Sequence, residues 1–509
     1  MRRRFWIHGS AALLLGLSLF SPAFSRTLDL GDLAAPRSDA APDGPVLPHA
    51  SPALGPAGER DFRTALRSFM ANDFAAAERL SRGLTQSAPE APEGWYLLGM
   101  ALANLDRREQ AVEAMDRAAR LYKANAAPLV IKGDLLLSLG RRDEAGAAWQ
   151  AAVGVDPANW RAQERMAAFL ESRGDRDGAI RHYEQALSAT DAARIYPRLQ
   201  AARLHLLAGN PARTEALLED LARPADAPSL ALDYLARAKV GLDKLDQGKA
   251  LFDRLIARSE NVRPVLARAR LAVAEQNLAE AEAVLEKAAT RFPDDPALLL
   301  EQGRVLGAMG RYDRALAAFA RGLSAAPQDP ALLRAASLAA ARLGQDAAAL
   351  GHARAAAGLP GATPDDRIRL ASLLERTDGR AEAAALYREV LADDPRNWLA
   401  LNNLAHLLTE TAPDEAVSLA ERAVALAPDV PTLRDTLGWA QLKAGRLDGA
   451  ARTFEAMRTD APEAALPAYR LGLVRLEQGK ASEARSLLQQ ALALDPGFAY
   501  AEDARRHLR

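Results

Sequence analysis

Few side chains in this 509-residue sequence could do chemistry, and most of those suit recognition rather than catalysis. The seven histidines (His8, His49, His182, His205, His352, His406, His507) lack the spacing that brings two or three onto one metal ion. The absence of cysteine excludes disulfides, thiolate metal sites, iron–sulfur clusters, cysteine nucleophiles and a lipid-bearing cysteine. No glycine-rich phosphate loop, nucleophile elbow or paired-carboxylate motif is present. The expectation is therefore no cofactor, no metal and no catalytic residue. Two groups remain. Arg263, Arg270, Arg304, Arg334, Arg342 and Arg376 offer planar guanidinium forks suited to carboxylates or phosphates. Asn402, His406, Asp435, Trp439 and Tyr469 combine amide, imidazole, carboxylate and aromatic faces, which serve a sugar ring or a peptide backbone. Asn402 and His406 are four residues apart, as are Asp435 and Trp439, so on helices each pair points one way.

The elements that must position these groups can be read from composition and period. Hydrophobic residues make up 49% and aromatics only 5%, so alanine and leucine carry the apolar share and favour helices over strands. Lys+Arg is 65 and Asp+Glu is 66, a net charge of -1, so no global field draws the chain to nucleic acid or an anionic membrane. From Gly58 a 34-residue repeat is countable. Ala77, Ala111, Ala145, Ala179, Ala281, Ala315, Ala349 and Ala383 hold one phase, resumed one residue short by Ala416, Ala450 and Ala484. Arg213 and Gln247 occupy that register in two degenerate units, 194–227 and 228–261, where a packing irregularity or bend is expected. Twelve residues earlier the register is small almost throughout, including Ala65, Gly99, Gly133, Gly303, Ala371, Ala405, Gly438 and Gly472, with Leu235 the one large member. Gly140, Gly174, Gly310, Gly344, Gly445 and Gly479 fall at the turn between helices, and prolines such as Pro293, Pro327 and Pro395 close units.

Two antiparallel helices need small residues where their axes cross, and a pair this short cannot bury its own apolar face. Stacking supplies the core. The fold class is all-α, a right-handed α-solenoid of about thirteen helix–turn–helix units. Units begin at 58, 92, 126, 160, 194, 228, 262, 296, 330, 364, 398, 431 and 465 and end at 498. Residues 499–509 read as a capping helix. Trp95, Leu98, Gly99 and Ala111 in one unit, and Gly303, Gly310, Tyr312, Ala315, Phe319 and Pro327 in another, give the pattern that resembles the tetratricopeptide repeat.

That resemblance implies a concave groove paved by the first helix of each unit, where an extended peptide or partner helix lies. Transferring the second, fifth, ninth, twelfth and thirteenth unit positions brings both residue groups onto the groove. Glu93, Asp134, Glu164 and Glu171 make its earlier part acidic, with Arg161 the one base. Asp365 and Glu375 are the only acids among the six arginines. Two alternatives stand beside this: the arginines pair with neighbouring acids as scaffolding, or Trp439 and Tyr469 pack between repeats. Residues 397–450 also resemble C-terminal units of exported bacterial repeat proteins associated with exopolysaccharide production and protein sorting. The expected function is a non-catalytic scaffold or adaptor for protein–protein interaction, in an envelope polysaccharide or secretion assembly. Direct carbohydrate binding is the alternative, with an acidic polysaccharide as a second candidate occupant of the groove.

Arg2, Arg3 and Arg4, the short apolar run Ala11–Phe20 and the small residues around Ser25 read as a signal peptide over 1–25, cleaved after Ser25. That run is well short of the ~20 residues needed to span a bilayer. The mature chain is expected to be periplasmic, with no transmembrane span. Residues 26–57, with Pro36, Pro42, Pro45, Pro48, Pro52 and Pro56, read as a flexible spacer.

Overall fold

The computed structural model describes residues 52–188, 195–377 and 379–509. The signal segment and most of the spacer lie outside the described residues. Among those described there are 27 α-helices and no strand. Twenty-six of the helices form antiparallel pairs, and Ala501–Leu508 follows as a single last helix. The spacer ends sooner than expected. A 3-10 turn at Pro52–Leu54 runs into the helix Gly55–Met70, with Pro56 in its first turn, where a missing N–H costs nothing.

The helices divide into two compact units, one ending at Glu260 and the other beginning at Asn261. Within each, the first helices of neighbouring repeats approach one another more closely than the second helices do, which puts the first helices on the inner side of the local stack.

The repeat starting at 296 shows why the registers are small. Its helices are Pro296–Ala308 and Tyr312–Ala325. Ala315 and Phe319 are fully buried on the second helix. A Cβ placed on Gly303 would lie 2.2 Å from Phe319 Cε1, so only glycine admits the ring between the helices. Gly133 does the same for Trp149, at 2.3 Å from Nε1. Burying such a ring contributes about 1.5–3 kcal/mol. The turn then needs one left-handed residue: Gly310 has φ 77°. In repeats without glycine there, Asn72, Asp106, Asp243 and Gln276 adopt φ near +60° instead.

In the two degenerate repeats the crossing survives with its phase moved by one residue. Thr214 is buried and its Oγ1 donates to the carbonyl of Ala202 at 2.9 Å, while Arg213 points outward to Glu184. Gly248 is buried against Ala236 and Val240, and Gln247 is exposed. The irregularity lies in the first of the two, whose second helix is only Pro211–Leu218 and is followed by turns.

Candidate functional site

The six arginines all lie in the C-terminal unit, on first helices or, for Arg376, at the cap just past the end of one, and most are already engaged. Arg334, on Pro330–Arg342, donates through Nε and an Nη to both oxygens of Asp366, at 2.6 and 2.7 Å. Asp366 is 2% exposed and closes a capping box with Thr363, accepting from its N–H and hydroxyl at 2.8 Å. Burial alone would raise this carboxyl, but Arg334 and Thr363 together hold it below the usual range. Arg270 and Arg304 flank Glu301, at 3.5 and 3.7 Å, and Glu301 is 3% exposed. Arg376 turns to Asp346, at the start of the preceding repeat's second helix, at 2.9 Å. Arg263 and Arg342 are exposed and have no ion pair among the described residues. The scaffolding alternative thus describes four of the six, and two remain open to solvent.

The C-terminal five do not form one uniform strip. Asn402, on Trp398–Leu408, is 4% exposed. Its Nδ2 donates to Asn403 Oδ1 at 3.3 Å, and its Oδ1 has no donor among the described residues. Asn403 continues to the Tyr387 hydroxyl, which donates to Glu375 Oε1 at 2.6 Å. Burial pushes the Glu375 carboxyl up, opposed by Tyr387 and Arg380. His406 Nδ1 lies 4.0 Å from Glu375 Oε2. Its side chain is 51% accessible, on a helix whose other residues are mostly buried. Burial therefore lowers its pKa; Asp435 opposes this, and Arg380 and Arg470 add to it.

Asp435 and Trp439, on Pro431–Lys443, share a partner that register transfer did not select. Arg470 donates to both oxygens of Asp435, at 3.1 and 3.4 Å. Its guanidinium carbon lies 4.1 Å from the Trp439 ring centroid and 5.0 Å from that of Tyr500. Lys443 Nζ lies 5.0 Å from the same indole centroid. Tyr469 is 3% exposed, stacks on Tyr500 at 5.2 Å, and donates its hydroxyl to Asp503 at 2.6 Å on the last helix. Tyr469 therefore locks the end of the stack, as the packing alternative held, while Trp439 is a half-buried platform for cations.

The earlier acidic register is also neutralised from within. Arg165 Nε donates to Asp134 at 2.8 Å, and Arg203 binds Glu171. Arg165, Glu301, Arg369 and Arg470 share the sixth position of their repeats, which the transferred register omitted. A charge 31 residues after an opposite one was the signal that could have found Arg165–Asp134 and Glu301–Arg270.

Tetratricopeptide repeat models match residues 92–125, 132–197, 235–296, 272–341, 368–431 and 436–497. The chain belongs to the tetratricopeptide repeat family. No curated protein matches it. Among solved structures it is similar to the Cut9–Hcn1 hetero-tetramer of the APC/C, at 14% identity over 87% of this chain and 95% of that one, with a TM-score of 0.39. The Naa15/Naa10 complex bound to HypK-THB gives 17%, 85%, 68% and 0.40, and yeast Tom70 gives 14%, 82%, 94% and 0.34. Among the described residues no helix is long and apolar enough to cross a membrane, and no group of three His, Asp or Glu could hold a metal ion.

Proposed function

We propose that this chain is a non-catalytic periplasmic adaptor that holds an extended segment or helix of a protein partner against its first helices, within an envelope polysaccharide or secretion assembly. Tetratricopeptide repeats support an interaction scaffold. The observation that carries the placement is the contrast between the two helix types in the C-terminal unit. First helices present His406, Trp439, Arg263 and Arg342 to solvent or to the inner face, while the second-helix alanine register is spent on the core. The segment 1–25, read as an export signal, is the ground for the proposed compartment, and the C-terminal resemblance is the ground for the proposed pathway. Direct sugar binding is less well served, because Arg470 and Lys443 already sit at the Trp439 ring on which a sugar would stack.

The test is site-specific photocrosslinking in the native host. A probe replacing Arg342 should trap a discrete partner, and a probe replacing Ala320, exposed on a second helix, should not. Equal trapping at both would overturn the placement. A phosphatase fused after residue 60 should be active only if exported, and an inactive fusion would overturn the compartment.

A further inference from the structure

In the unit that ends at Glu260, later first helices pack one side against the second helix of the repeat before. On Pro92–Asn104 that side carries Gly94, Leu97 and Ala101, all buried, and a Cβ on Gly94 would lie 3.2 Å from Leu84 Cβ on Phe74–Ser87. One repeat earlier the same positions are Arg60, Arg63 and Arg67, all exposed, and no described repeat stands before them. Leu66 and Met70 share that side of the helix Gly55–Met70. Met70 is 64% exposed, more than any other large apolar side chain described. Arg63, Leu66 and Arg67 line a shallow depression of about 450 Å³. Glu59 pairs with Arg63 at 2.5 Å, while Arg67 donates to the carbonyl of Arg63 and the hydroxyl of Thr64. At 3.6 residues per turn Asp61 falls on the opposite flank. The free end of the stack thus presents two apolar side chains and three guanidiniums against one carboxylate.

We propose that residues 28–33 of the same chain dock on this free end as a strap, their leucines against Leu66 and Met70, and Asp29 and Asp32 on the arginines. The segment reads Leu28-Asp29-Leu30-Gly31-Asp32-Leu33, which supplies both kinds of side chain at short spacing. Three arginines less Glu59 leave two positive charges, and the two aspartates answer them. The tether fits as well. Roughly 18 residues join Leu33 to Pro52, a random chain of about 20–25 Å that reaches about 60 Å when drawn out. Residues 63–70 lie about 12–22 Å along the helix from Gly55. Tether and span match, so the segment meets this face at an effective concentration on the order of millimolar, and weak contacts suffice. A second copy of the chain would have to bind from dilute solution. The strap closes the end of the stack rather than its inner face, so it does not depend on the adaptor reading.

The chain has no cysteine, so paired cysteine substitutions in the mature chain report the contact without background. Ala34→Cys with Ala71→Cys, both beside the proposed contact, should close an intramolecular disulfide under copper–phenanthroline at least tenfold faster than Ala34→Cys with Gln86→Cys. Gln86 is exposed on the second helix of the same repeat. Adding Asp29→Arg and Asp32→Arg should slow closure at position 71 at least threefold. Arg63→Asp and Arg67→Asp in that background should restore it. If the arginine changes prevent folding, the slowing by Asp29→Arg and Asp32→Arg decides alone. Equal rates at 71 and 86, disulfides between two chains rather than within one, a rate indifferent to Asp29→Arg and Asp32→Arg, or no restoration in a folded reversed pair would each overturn the proposal. None of those results alters what a probe at Arg342 traps, so the two readings fail separately.

Discussion

Arg470 stands over Trp439 with its guanidinium carbon 4.1 Å from the ring centroid, and the same side chain holds Asp435 at 3.1 Å. One arginine thus ties the last two repeats together through a charge and a ring. Removing one partner of a buried ion pair costs ~3–5 kcal/mol. Arg470 is buried and Asp435 partly so, which puts Arg470→Ala at the low end of that range, near 3 kcal/mol. Urea denaturation monitored by circular dichroism would measure it. A loss under 1 kcal/mol would mean that this tie is unimportant.

Trp439→Ala separates platform from packing. The ring is half-buried, so its removal should lower stability by about 2–3 kcal/mol, less than for a fully buried tryptophan. Melting and partner binding should be measured on the same variant. A near-wild-type melting temperature with binding abolished would make the indole a contact for the partner rather than for Arg470.

Gly303→Ala and Ala315→Leu test the crossing between Pro296–Ala308 and Tyr312–Ala325. Each pushes atoms into a filled space, at a cost of about 1–3 kcal/mol. Ala320→Leu, exposed on the same second helix, should change stability by no more than about 0.5 kcal/mol. Comparable losses at Ala315 and Ala320 would show that the repeat phase is misplaced.

Acid should destabilise the chain in two stages. Burial lowers the pKa of His182, His352 and His406 in the fold, so the unfolded chain binds more protons there. Stability from these groups is complete above the unfolded histidine value of about 6.5 and declines as the pH falls below it. The carboxyls of Asp366, Glu215 and Glu184 are held low by their cationic partners. Their contribution is present above about pH 4 and is lost as the pH falls through their folded values. A His352→Gln variant should flatten the first stage, and melting curves from pH 8 to pH 3 would show it. An unchanged slope between pH 7 and 5 would count against the histidine account.

The depth of an ion pair should decide its worth. Arg446→Ala, which breaks an exposed pair with Asp414, should cost at most ~1 kcal/mol. Asp366→Ala strands Arg334 and removes the cap at Thr363, so about 2–4 kcal/mol is expected. Chemical denaturation of both variants makes the comparison, and equal costs would contradict it.

The repeat was legible because close helix crossings demand small residues at fixed intervals, and Ala315 or Gly303 cannot be replaced by chance. The one-residue slip at Thr214 and Gly248 was not legible. In so alanine-rich a chain the neighbouring positions, Ala201 and Ala202 among them, are equally small, so the phase is ambiguous until the helices are seen. The candidate surface was half legible. Period placed Asp435 and Trp439 on one helix face, but it could not say that Arg470 would fill the space above them. A helix face is a local property of one segment. A pairing 31 or 35 residues away depends on how successive repeats lean on each other.

The ties described above, from Arg165–Asp134 to Arg470–Asp435, each join one repeat only to its immediate neighbour. Ties of this kind fasten each repeat to the next and not to one farther along. Pulled at the C-terminus, it would first release Ala501–Leu508 by parting Tyr469 from Asp503 and Tyr500. The next repeat would bear the load only after that. The force needed would be set by one stitch at a time, and the protein would yield under tension in small, reversible steps.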